Sequence, residues 1–197
     1  MAFDTFTALV FFAAVASVTP GPNNMMVLAS GVNFGYRRTI PHIFGIAGGF
    51  FTLLVCVGAG LGTLLTAYPA AHTGLKIAGG LYLLYLAWRI ATAGAIGGTE
   101  SRPEPMSFIA AAMFQWVNPK AWMMGVSAMA LYTDTSQPFM SVLLIASVFG
   151  LITFPSVSIW TGFGTALRGI LEDDRRRRVF NIVMGLVLAL CIVPMVR

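Results

Sequence analysis

Pro20 and Pro22 flank Gly21 in the run Thr19-Pro20-Gly21-Pro22-Asn23-Asn24, and this run interrupts a stretch with no charge between Asp4 and Arg37. Neither proline has an N–H to give, and each ring clashes with the preceding turn, so no regular helix passes through. The uncharged stretch is long enough to cross a bilayer, which takes about 20 apolar residues, and the break falls at its midpoint. Backbone left unpaired at membrane depth survives only where it is buried in protein or lines a cavity. Transporters build substrate sites from such broken helices. The feature points to a transporter.

Composition agrees. Charged residues make up 10% of the 197 and apolar ones 57%, whereas soluble domains carry about 25% charged residues. The longest polar connection covers only about 171–178, so residues 1–197 read as a single integral membrane domain. A net charge of +5 could suggest nucleic acid. The arginines instead cluster at helix ends, as topology signals do, and no nucleic-acid partner is expected. The start lacks a basic segment and the first span is too long for a signal peptide, so that span is expected to be retained. Cys56 and Cys191 fall in predicted spans without motif spacing and read as packing residues. No metal and no cofactor is expected.

The expected fold class is an all-α membrane protein with six transmembrane helices, at about 5–30, 41–66, 74–95, 107–131, 138–166 and 179–196. In the third, only 12 residues separate Lys76 from Arg89, and both side chains are expected to snorkel to opposite interfaces. His72 reads as a loop residue. Connections after spans one, three and five hold Arg37, Arg38, Arg89, Arg102, Arg168 and Arg175 to Arg178, nine positive charges. The other side has Lys76 and Arg197. By the positive-inside rule both termini face outward.

The two halves repeat a plan. A second apolar interval, from Glu104 to Asp134, has its midpoint at Pro119 within Val117-Asn118-Pro119-Lys120. Spans one and four are therefore both broken near mid-depth, about 98 residues apart. Three spans per unit make the second copy enter from the opposite side. That predicts two inverted three-helix repeats, at about 1–98 and 105–197, of the kind found in secondary transporters.

Lys120 is the one cationic side chain expected near the bilayer midplane, where a charge costs about 2.5–3.5 kcal/mol. It can pair with a ligand or carry a proton; otherwise it snorkels from a displaced helix. Asn23, Asn24, Asn118 and Gln115 offer neutral donors and acceptors beside the breaks, to recap freed backbone or to hold substrate. Half-helices that start after each break turn N–H groups and a positive dipole end toward an anion. With Lys120 they form a seat for a carboxylate. No Asp or Glu lies inside a predicted span, which leaves a carboxylate proton relay without a residue. His42 is the titratable candidate for proton coupling near neutral pH, against its ordinary reading as an interfacial packing histidine. Trp116 and Trp122 flank the second break and read as packing or pocket lining. Gly31/Gly35, Gly45/Gly49 and Gly58/Gly62 have the spacing for close helix approach, within the chain or across a homodimer.

The stretch from Ser17 to Arg38 (SVTPGPNNMMVLASGVNFGYRR) closely resembles the signature of the LysE/RhtB family of amino-acid exporters. Gln115 to Trp122 (QWVNPKAW) resembles that family's second signature, and Gly80 to Arg89 (GLYLLYLAWR) is similar to its third helix. The resemblance covers essentially the whole chain. It implies a bacterial inner-membrane protein that exports amino acids or close derivatives, commonly by exchange for protons, and it leans toward the cysteine/acetylserine branch. Independently, the lack of intramembrane acids argues against a dibasic substrate, whose second ammonium wants a counter-ion. The expectation is a secondary active exporter of neutral amino acids, working by alternating access. Its substrate contacts would be Pro20, Gly21, Pro22, Asn23, Asn24, Gln115, Asn118, Pro119 and Lys120, with membrane lipid around it. The alternatives are an uncoupled small-solute channel and a non-transporting membrane assembly protein. An enzyme would need an acid pair, a Ser/His couple or a metal cluster at depth, and the sequence has none.

Overall fold

The computed structural model describes residues 3–62, 67–93, 104–134 and 136–193, and among them every regular element is helical. Helix α1 spans Phe3–Val18 and α2 Pro22–Phe34; α3 spans Tyr36–Cys56 and runs on through a π-turn, Val57–Leu61. Helix α4 spans Pro69–Thr92, α5 Phe108–Gln115, α6 Pro119–Tyr132, α7 Pro138–Leu167 and α8 Asp174–Leu190. The helices Tyr36–Leu61 and Pro138–Leu167 are each long and apolar enough to cross a membrane, and α1 with α2, bent by 54° at their break, pass the same test as a pair, as one broken span or a re-entrant loop.

Both expected breaks are present, and a proline restarts the helix after each. Pro22 and Pro119 stand in the first turns of α2 and α6, where a missing N–H costs nothing and the fixed φ suits the helix. Two boundaries differ from expectation. Helix α4 starts at Pro69, so His72 lies in a helix and not in a loop. Lys76 and Arg89 are both exposed toward its two ends. Helix α8 starts at Asp174, inside the polar stretch read as a connection. There the Asp173 carboxylate accepts from the Arg176 N–H (2.9 Å) and Asp174 pairs with Arg177. An acidic cap and an acid in the first turn stabilise a helix start, so those charges initiate α8. Arg102 and Arg197, which entered the charge count, lie outside the described residues.

The turn from α2 into α3 is made by Gly35 at φ 79°, with its N–H on the Gly31 carbonyl (2.9 Å). Helix α7 is the central post. It packs against α1, α2 and α3, while α3 also packs on α5, and α4 pairs with α8. Close approach uses glycine: a Cβ on Gly31 would meet the Thr161 carbonyl oxygen at 2.4 Å, and one on Gly164 the Leu28 carbonyl oxygen at 2.1 Å. Gly45 and Gly49 lie equally tight on Phe108 and Ala112 of α5. The small-residue spacing at Gly31, Gly45 and Gly49 is thus used inside the chain.

Burial is inverted relative to a protein in water. Phe11, Ile109 and Leu151 are more than 70% exposed, while Asn24, Thr39, His42, Gln115, Asn118, Thr161 and Asn181 are buried. An apolar outside with polar groups held between helices is the arrangement that lipid demands.

Candidate functional site

The two helix breaks, between α1 and α2 and between α5 and α6, meet. Helix α1 ends at Val18, which leaves its last carbonyls without helical partners. Asn24, one turn into α2, folds back and donates its side-chain N–H to the carbonyls of Ser17 (3.0 Å), Val18 (3.3 Å) and Thr19 (2.9 Å). The Trp160 indole of α7 also donates to the Val18 carbonyl (3.2 Å). Lys120, in the first turn of α6, crosses to the other break and donates its Nζ to the Thr19 carbonyl. Its stem passes over Gly21, where a Cβ would stand 2.7 Å from Lys120 Cδ. Gly21 is extended (φ −172°), so what matters at that position is space for the lysine.

At the second break Asn118 caps α6, its Oδ1 accepting from the Lys120 N–H (3.2 Å). Asn118 also donates to Gln115 Oε1 (3.4 Å). Gln115 and Asn23 exchange a pair of hydrogen bonds: Asn23 Nδ2 donates to Gln115 Oε1 (2.8 Å) and Gln115 Nε2 to Asn23 Oδ1 (3.1 Å). The N-terminal half of the chain thereby holds the C-terminal half through two side-chain bridges at one depth.

These groups surround a cavity of about 30 Å³, lined by Gly21, Asn23, Asn24, Gln115, Asn118 and Lys120 together with Ser17 and Thr153. That volume holds a water or two, since one water needs about 10–15 Å³ on this measure. No amino acid fits without further opening. Of the expected site residues, Gly21, Asn23, Asn24, Gln115, Asn118 and Lys120 line it. Pro22 and Pro119 start the two half-helices beside it, and Pro20 is exposed on the break.

His42 is not with them. It is 2% exposed within α3 and does not line the Lys120 cavity, and both its ring nitrogens lack a partner. It lines a second chamber with Ser30, Asn33, Arg89 and Glu104. The tryptophans beside the second break are structural: Trp122 donates to the Trp116 carbonyl (2.8 Å) freed there, and both pack on the main apolar cluster.

Sequence reasoning missed Ser17 and Thr153, whose hydroxyls meet at 3.3 Å across the cavity. It also missed Asn33 and Asn181, which exchange hydrogen bonds at 2.9 and 3.1 Å between α2 and α8. Thr153 had a signal, since it stands two residues ahead of Pro155 inside an apolar helix. The Asn33–Asn181 pair had none, because a single amide on a helix announces no partner.

Broken helices joined at their breaks by a lysine and an amide pair, within an apolar exterior, fit the class of membrane transport proteins. The family model described as LysE type translocator matches residues 14–195. The chain is similar to proteins named cysteine/O-acetylserine efflux protein. The one from Salmonella choleraesuis (strain SC-B67) is 32% identical over 188 residues, and the one from Escherichia coli (strain K12) 31% over 186, each match covering 92% of both chains. No solved structure matches the chain. The chain belongs to the LysE type translocator family, which makes it a membrane translocator of small molecules and not an enzyme.

Proposed function

We propose that this protein is a secondary active exporter of neutral amino acids or close derivatives, with cysteine and O-acetylserine, the solutes in its relatives' names, as first candidates. It works as one domain of six spans (α1/α2, α3, α4, α5/α6, α7 and α8) arranged as two inverted repeats in a bacterial inner membrane, both termini outside. Exchange of the repeats maps α1 to α4 onto α5 to α8. The α3–α7 and α4–α8 packings then map onto themselves and α1–α7 onto α3–α5, which supports the inverted arrangement.

One observation carries the reading: Lys120 of the second break is bound to the Thr19 carbonyl of the first. A substrate carboxylate is a better acceptor for an ammonium than a carbonyl, because both partners are charged. It would draw Lys120 off Thr19, while the amide oxygens of Asn23 and Gln115 turn to the substrate ammonium. Both bridges between the halves would then pass through the substrate, and rocking of one repeat against the other would carry it across. The small size of the cavity, about 30 Å³, supports a mechanism that passes through a more open state rather than a standing open pore. Lys120, and His42 in α3, are the groups that would exchange a proton during the cycle.

Amino-acid uptake into inside-out vesicles, with and without an imposed pH gradient, tests this. The panel is cysteine, acetylserine, threonine, homoserine, leucine and lysine. Saturable, gradient-dependent accumulation of a neutral amino acid is expected, and Lys120→Ala should abolish it while the protein still inserts. Unchanged flux in Lys120→Ala would remove that residue from the mechanism.

A further inference from the structure

We propose that the chamber beside His42 is a second amino-acid site, an antechamber where a zwitterion binds before it reaches the Lys120 break. Its carboxylate would sit on Arg89 and its ammonium on Glu104. This rests on the exporter reading above.

The chamber, about 80 Å³, lies among α2, α3, α4 and the segment ahead of α5, and shares no lining residue with the Lys120 cavity. It holds several waters on the measure used above. His42 is its buried wall. A neutral imidazole has one donor and one acceptor, and here both nitrogens are buried without a partner. Buried polar atoms in native proteins are paired as a rule, so this ring is positioned for something that enters the chamber. Ser30 and Asn33 add polar atoms from α2.

The exposed rim carries one charge of each sign. Arg89 comes from the last turn of α4, its guanidinium over the Tyr85 ring at 6.0 Å, and Glu104 from the opposite wall. The two form no salt bridge with each other. An arginine and a glutamate that line one cavity without pairing suit a solute that carries both charges itself. A lone cation or anion would leave one of them unused.

The chamber also lies on a route. It shares Asn33, Phe34 and Ala93 with a wide vestibule of about 620 Å³ lined by Arg168, Glu172 and Arg177. That is the arginine-rich end, cytoplasmic in the reading above, so an outbound solute meets the antechamber first.

The test is O-acetylserine uptake into inside-out vesicles by wild type, Arg89→Gln, Glu104→Gln, Glu104→Asp and Lys120→Ala, at matched membrane amounts. Each Gln variant should raise KM about tenfold, the equivalent of about 1.4 kcal/mol, with the maximal rate within about twofold. Glu104→Asp should recover part of the loss and keeps the test open if Glu104→Gln fails to insert. Inhibition by serine amide, which keeps the ammonium, should weaken in Glu104→Gln, while inhibition by N-acetylserine should not. If KM is unchanged in both Gln variants, or only the rate falls, while Lys120→Ala abolishes uptake, the antechamber is overturned and the exporter reading stands. If wild type takes up none of the panel, the exporter reading fails and the antechamber with it.

Discussion

The residue that connects the chemistry to the fold is Lys120, and the room it needs is made by a glycine that donates nothing. Gly21 is extended, a conformation open to any residue, yet a methyl there would stand 2.7 Å from Lys120 Cδ and 3.1 Å from Nζ. The obstructed group is the far end of a flexible side chain, so it would swing aside while the fold survives. Gly21→Ala should therefore lower export about tenfold, a loss of about 1.4 kcal/mol of positioning, with the melting temperature in detergent unchanged. A large drop in melting temperature would show instead that the backbone, and not the lysine, gives way. The amides divide differently. Asn24 satisfies three carbonyls and is committed to recapping α1, whereas Asn23 is bonded only to Gln115, which also donates to the Ala111 carbonyl (2.9 Å) and accepts from Asn118. The sequence left recapping and substrate binding open for all of them, because an amide does either and only its neighbours decide which.

At the level of helices, glycine sets how closely α2 and α7 approach. A Cβ on Gly164 would stand 2.1 Å from the Leu28 carbonyl oxygen, which is backbone and has nowhere to go; Gly162, two residues earlier, has nothing within 4 Å. Gly164→Val should separate the helices and destabilise the protein by about 1–3 kcal/mol or more. Gly162→Val should melt within about a degree of wild type by the same scan. Equal effects would mean that the α2–α7 contact is not a tight seam. The elements themselves were legible where the cause is local. Pro22 and Pro119 announce both breaks, because a proline cannot continue a helix but can begin one. The start of α8 was not, since Glu172-Asp173-Asp174 followed by four arginines reads as a solvated connection until Asp173 is seen to cap the helix. The helix partners were not legible either. Glycine spacing along one helix does not say which helix fills the groove.

In the whole molecule, besides the helix packing against α7, two junctions made by lysine and amide side chains tie the halves together. One is the central junction of Lys120 with Thr19 and of Asn23 with Gln115; the other is the Asn33–Asn181 pair toward the arginine-rich end, where Asn181 also donates to the Ala93 carbonyl (2.6 Å). Asn33 lines both the vestibule and the His42 chamber, so opening that end toward the central cavity requires α2 and α8 to part. Under the alternating access proposed above, this pair is a bolt, fastened in this structure and drawn in the state that loads substrate. Cysteines at Asn33 and Asn181, with Cys56 and Cys191 replaced by serine, allow the bolt to be fixed by a short bifunctional thiol reagent with a reducible bridge. Cross-linked protein should lose O-acetylserine uptake in inside-out vesicles by at least about tenfold, and reductant should restore it. Each single-cysteine protein should transport equally with and without the reagent. Full transport by the cross-linked protein would mean that α2 and α8 move as one body, and the moving boundary would then lie elsewhere, with the repeats no longer the units that rock.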